Sequence, residues 1–129
     1  MIVDTSALLA VVLNEADGPS LAEAIIDAPE AGISVANFFE ASIVLERRGD
    51  GEAQARLDPV AAELGLSFHP VTVSQMRLAR EAYRRFGKGL HPAALNFGDC
   101  FAYALAAERG EPLLFKGNDF AKTDVARVI

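Results

Sequence analysis

The chain has 129 residues, 51% of them hydrophobic, and a net charge of −6. That length suits one domain burying about two thirds of its unfolded surface, and the apolar content excludes a disordered chain. A single cysteine, Cys100, excludes an internal disulfide and points to a reducing compartment, the cytoplasm.

In chain order, Met1 to Asp4 is a short apolar run that suits a buried central strand. It lacks the basic start, long apolar run and cleavage site of a signal peptide, and no stretch approaches the roughly 20 apolar residues that span a bilayer. Ser6 to Leu13 is too continuously apolar for a surface helix and reads as a core or interface helix. Asp17-Gly18-Pro19 starts a helix continued by Leu21 to Ile26, with proline at the first helical position. Gly32 to Val35 is a second strand. Asn37 opens a helix to Arg48 that Gly49-Asp50-Gly51 ends, with Phe38 and Phe39 expected to anchor its start in the core. Glu52 to Leu64 is a further helix, stopped by Gly65.

Ser67 to Val73 is a third strand, and Pro70 inside it assigns it to an edge or an end. Ser74 caps a basic helix that runs to Gly87, followed by a loop from Lys88 to Asn96. Gly98 to Arg109 is a helix closed by Gly110, Pro112 to Phe115 a fourth strand, and Val125 to Ile129 a possible fifth. Strands alternating with helices predict an α/β fold whose mainly parallel sheet of about 4–5 strands is covered on both faces.

Four acids, Asp4, Glu40, Asp99 and Asp119, each fall where a strand or loop gives way to a helix. In an open α/β sheet those junctions gather at the crevice beyond the carboxyl ends of the strands. Two like charges about 4 Å apart repel by about 4 kcal/mol at an effective dielectric near 20, so such a cluster holds protons or a hard cation. Mg²⁺ or Mn²⁺ is the natural guest of clustered carboxylates, which suggests an enzyme acting on phosphates.

Each acid also has a plainer role. Asp4 suits an N-cap, although an ionised carboxylate at the end of a buried strand is costly unless paired; Ser6 caps the same helix or supports a metal-bound water. Asn37-x-x-Glu40 is close to a capping box, which alone accounts for Glu40. Asp99 suits a helix dipole, and Asp119 in Gly117-Asn118-Asp119 is ordinary turn chemistry. Asp124 is peripheral, and Cys100 reads as a small buried hydrophobe rather than a nucleophile. His69 and His91 lack zinc spacing, and no nucleophile elbow or Walker loop is present.

The negative charge counts against nucleic-acid binding, but its distribution softens the objection. Five of the twelve basic residues, Arg77, Arg80, Arg84, Arg85 and Lys88, lie within twelve positions opposed only by Glu81. Arg77, Arg80 and Arg84 share one helical face by spacing, either a solvated face or a patch for a partner or substrate.

Taken together, these residues resemble PIN-domain ribonucleases, specifically the VapC toxins of toxin–antitoxin modules, over essentially the whole chain, read as a single PIN domain spanning 1–129. Val3-Asp4-Thr5-Ser6-Ala7 resembles the family's first motif, Glu40 its second acid, Gly98-Asp99-Cys100-Phe101-Ala102 its third motif, and Lys116 to Phe120 with Thr123-Asp124 its fourth. The resemblance implies a PIN-like three-layer α/β/α sandwich and Asp4, Glu40, Asp99 and Asp119 as metal-binding carboxylates, with Asp4 and Asp99 as direct ligands. Glu40 and Asp119 would act through water or a second metal. Many relatives carry a further acid where this chain has Gly117 and Asn118, which leaves the second metal site open.

The expected reaction is hydrolysis of RNA phosphodiester bonds with Mg²⁺ or Mn²⁺, giving 5′-phosphate and 3′-hydroxyl ends. Arg84, Arg85 and Lys88 are the candidates for backbone contacts, with Lys116 a weaker one. The resemblance also implies a VapB-like antitoxin and a homodimer, with Leu8 to Leu13 an interface or a core helix. The competing readings are a catalytically inactive PIN-like module that binds RNA or protein, and a metal-dependent phosphatase.

Overall fold

A computed structural model describes residues 1–129. The chain runs β1 (Ile2–Val3), α1 (Thr5–Val12), α2 (Gly18–Asp27), β2 (Gly32–Ser34), α3 (Val35–Arg48), α4 (Gly51–Glu63), β3 (Ser67–His69), α5 (Val73–Phe86), α6 (Phe97–Arg109) and β4 (Leu113–Leu114), then one turn of 3₁₀ helix over Phe120–Lys122. The four strands are parallel in the order β3-β2-β1-β4.

Side chains of successive strand residues point to opposite faces, and both faces are buried. Val3, Ile33 and Leu114 enter one core with α1 to α4, whereas Ile2 and Leu113 enter the other with α5 and α6. This makes the three-layer sandwich expected from the alternating pattern. Because the chain leaves β1 toward β2 on one side and β4 lies on the other, strand order reverses at β1. A ligand crevice forms at such a switch point. Asp4 stands there, its amide bonded to the Leu114 carbonyl at 2.9 Å.

Several local expectations change. Ser34, not Asn37, caps α3, accepting from the Ala36 amide, so Asn37 lies inside the helix and is wholly buried. Phe39 is exposed, and only Phe38 packs inward, edge-on to Phe68 at 4.8 Å. Thr72 rather than Ser74 caps α5. β3 is an edge strand as Pro70 requires, but it ends before the proline. The carboxyl-terminal segment makes only a bridge from Arg127 to Leu113, so the sheet has four strands and not five. Leu8, Ala10 and Val12 are fully buried and belong to the core, whereas Leu9, Val11 and Leu13 on the same helix are half-buried. No helix is long and apolar enough to cross a membrane.

Candidate active site

Asp4 follows β1 directly and is the N-cap of α1. Its Oδ2 accepts from the Ser6 amide at 3.0 Å and the Ser6 hydroxyl at 2.6 Å. The Ser6 hydroxyl in turn accepts from the Lys116 amide at 3.0 Å, joining the ends of β1 and β4. The Ser6 hydroxyl thus donates to Asp4 while accepting from the backbone beyond β4. The other oxygen, Asp4 Oδ1, is buried and has no hydrogen-bond partner. Burial pushes this carboxyl up to about 6, against the pull of Ser6.

Glu40 reaches the same crevice from the second turn of α3. The Thr5 hydroxyl donates to its Oε1 at 2.5 Å. Asn37 Nδ2 donates to the Gly98 carbonyl at 2.9 Å and approaches Glu40 Oε1 at 3.4 Å. Asn37 and Glu40 therefore do not form a capping box. That motif occurs at α6, where Asn96 accepts from the Asp99 amide and Asp99 Oδ2 accepts from the Asn96 amide, both at 2.9 Å.

Asp99 is pushed up to about 7, first by burial and then, against the Asn96 hydrogen bond, by the charges of Asp4, Asp119 and Glu40. That coupling places the four acids in one electrostatic field. Asp4, Glu40 and Asp99 share a design: one oxygen is tied to the protein, and the other makes no hydrogen bond within it. Asp119 is exposed at the start of the 3₁₀ turn and caps nothing. No three acidic, histidine or cysteine side chains gather closely enough in this arrangement to hold an ion among them. Direct ligation by three carboxylates thus requires side-chain rotation, for which exposed Asp119 has room. The unpartnered, buried Asp4 Oδ1 beside other hard oxygens fits a divalent cation.

The basic segment divides. Arg80, Arg84 and Lys88 line a groove between α5 and α6, whereas Arg77 does not. Arg85 is held by Asp124 at 3.0 Å and lies over the Phe86 ring, and Asp124 also accepts from Tyr103 at 2.5 Å. Lys116 Nζ is paired with Glu15 and Asp17. Cys100 is buried and its thiol is pushed up to about 11 by that burial, which suits a packing residue. Sequence reasoning paired Asn37 with Glu40 but overlooked Thr5 and the Asn37–Gly98 bridge, because a buried polar bridge between distant helices leaves no periodic signal.

Acids at the switch point of a parallel sheet define a class, and comparison with known proteins agrees. The PIN domain family model matches residues 1–126, and the chain belongs to that family. Within it, the chain belongs with the VapC ribonucleases. It is 48% identical to ribonuclease VapC28 of Mycobacterium tuberculosis over 130 residues, covering 100% of this chain and 98% of that protein. It is 45% identical to ribonuclease VapC of Mycolicibacterium smegmatis, covering 99% of each. In fold it is similar to the crystal structure of M. tuberculosis VapC20, described as a toxin that cleaves the sarcin-ricin loop, with a TM-score of 0.78 and 19% identity over 98% of this chain and 97% of that one.

Proposed function

We propose that this single PIN domain is the endoribonuclease toxin of a VapBC-type module and that it hydrolyses RNA phosphodiester bonds at the Asp4, Glu40, Asp99 and Asp119 cluster. The observation that carries the reading is the paired state of the acids: each of three has one oxygen fixed and one unengaged, at the switch point of the sheet. A pure binding module gains nothing from four carboxylates that repel one another.

Asp4 and Asp99 are the residues that would hold Mg²⁺ or Mn²⁺ directly, with Glu40 and Asp119 beside them. When bound, the cation neutralises charge on the scissile phosphate and acidifies a water molecule. The protein's part is orientation. Ser6 holds Asp4, Thr5 holds Glu40, and the Asn96 amide holds Asp99, so each of these carboxylates keeps one oxygen fixed and one unengaged before RNA arrives.

The VapC relationship supports a cognate VapB-like antitoxin as partner; a basic side chain from it could occupy the carboxylate cluster. The same relationship suggests a homodimer, which light scattering on the purified chain would test. RNA cleavage by purified protein with EDTA, Mg²⁺ or Mn²⁺, followed by end analysis, tests the activity. Cation-dependent products with 5′-phosphate and 3′-hydroxyl ends support it; 2′,3′-cyclic phosphate ends rule this mechanism out.

A further inference from the structure

Resting on the nuclease reading, we infer that the groove between α5 and α6 is a platform on which unpaired bases of the RNA stack beside the cutting site. The groove encloses about 840 Å³ and carries two kinds of side chain. Phe97, Leu90 and Tyr83 line it and are 81%, 63% and 44% exposed, unusual for large apolar groups. Arg80, Arg84 and Lys88 line it as well, the largest basic concentration on a chain of net charge −6. Arg84 is 73% exposed, and its one ionic contact is a loose pair with Glu81 at 3.4 Å.

Aromatic faces interleaved with cations are what a single strand needs, with bases on the rings and phosphates on the basic groups. An RNA duplex keeps its bases stacked inside and cannot use them. Position supports the same occupant. Phe97 opens α6 only two residues before Asp99, and its ring stands edge-on to Phe101 at 4.9 Å. Asn96, whose amide holds Asp99, is also in the groove wall. The groove wall thus includes the residue that fixes Asp99, which sets the platform next to the cutting site along the chain. A second copy of the chain is the poorer occupant, because symmetric pairing of this face sets two basic rims against each other.

Binding is measured by fluorescence anisotropy in EDTA with a short fluorescein-labelled single-stranded RNA and with its duplex, at several salt concentrations. The variants are Phe97→Ala, Tyr83→Ala and Arg84→Glu, each checked for folding by thermal melting and for mass by sedimentation. The two aromatic variants are expected to weaken single-strand binding by about 5- to 150-fold while leaving the duplex unaffected. Arg84→Glu is expected to lower the salt slope by about one. Three results overturn the proposal: no binding of the single strand by the wild type, unchanged affinity in Phe97→Ala, or loss of affinity that coincides with dissociation of a dimer. Chelation separates this test from the nuclease reading. A chain that binds but never cuts with any cation defeats the nuclease, whereas one that cuts but ignores Phe97 defeats the platform.

Discussion

The Glu40 carboxylate occupies the space that a side chain on Gly98 would need: a Cβ there would lie 1.8 Å from Glu40 Oε2. The glycine in the Gly98-Asp99 pair is therefore explained by packing between α3 and α6, not by backbone conformation. Gly98→Ala should push Glu40 out of the crevice and lower RNA cleavage by about 100-fold, the scale of a 1 Å misplacement. Cleavage rate and thermal melting, read together, check this; a folded Gly98→Ala protein with full activity would show that the Glu40 position is immaterial.

Ser6 acts through Asp4. Ser6→Ala removes the 2.6 Å hydroxyl bond and the link to the Lys116 amide. Loss of such an outer contact should raise the Mn²⁺ concentration for half-maximal cleavage by about 10-fold or more. Titration of activity with Mn²⁺ measures it, and an unchanged midpoint would reduce Ser6 to a structural link between the start of α1 and the end of β4.

The carboxyls also predict a pH dependence of stability. Asp4 and Asp99 titrate near 6 and 7 in the folded chain, above their ordinary value of 3.8. The native state thus binds more protons than the unfolded state, and stability falls as pH rises from about 4 through 7. In EDTA the melting temperature should decline across that window, and Asp99→Asn should flatten the decline. Mn²⁺ should raise the melting temperature far more at about pH 8 than at about pH 5, because ligation needs ionised carboxylates. A decline of the same slope in Asp99→Asn would disprove the link.

What the sequence disclosed, and what it hid, follows from range. β1 and the α1 core helix were legible because Ile2, Val3 and Leu8 are buried on apolar neighbours within a few residues. Asp4, Asp99 and Asp119 lie at element boundaries marked by local residues, whereas Glu40, expected at a helix entrance, stands in the second turn of α3. Asn37-x-x-Glu40 and Asn96-x-x-Asp99 both have capping-box spacing, and only the second forms the motif. Only tertiary packing decides that Asn37 is buried against Gly98 while Asn96 stays outside. The final strand failed for a similar reason: its apolar residues are real, but only one bridge to Leu113 forms.

Arg84 and Arg85 are neighbours in sequence with different structural roles. Arg85→Ala removes the pair with Asp124 and the contact with Phe86, so it should lower the melting temperature only slightly, because the pair is exposed and screened by solvent. It should leave single-strand RNA affinity near wild type, whereas Arg84→Glu should reduce it. Equal losses of RNA affinity in both would mean that the segment acts only by its net charge.

The central claim is that the carboxylate cluster cuts RNA. Inducible expression of the wild type beside Asp4→Asn and Asp99→Asn, followed by sequencing of RNA 5′ ends, tests it most directly. Growth arrest with new 5′-phosphate ends at a few sites, absent in both variants, is the predicted result. Equal arrest by the variants with no new ends would contradict it and leave a binding module in place of a nuclease.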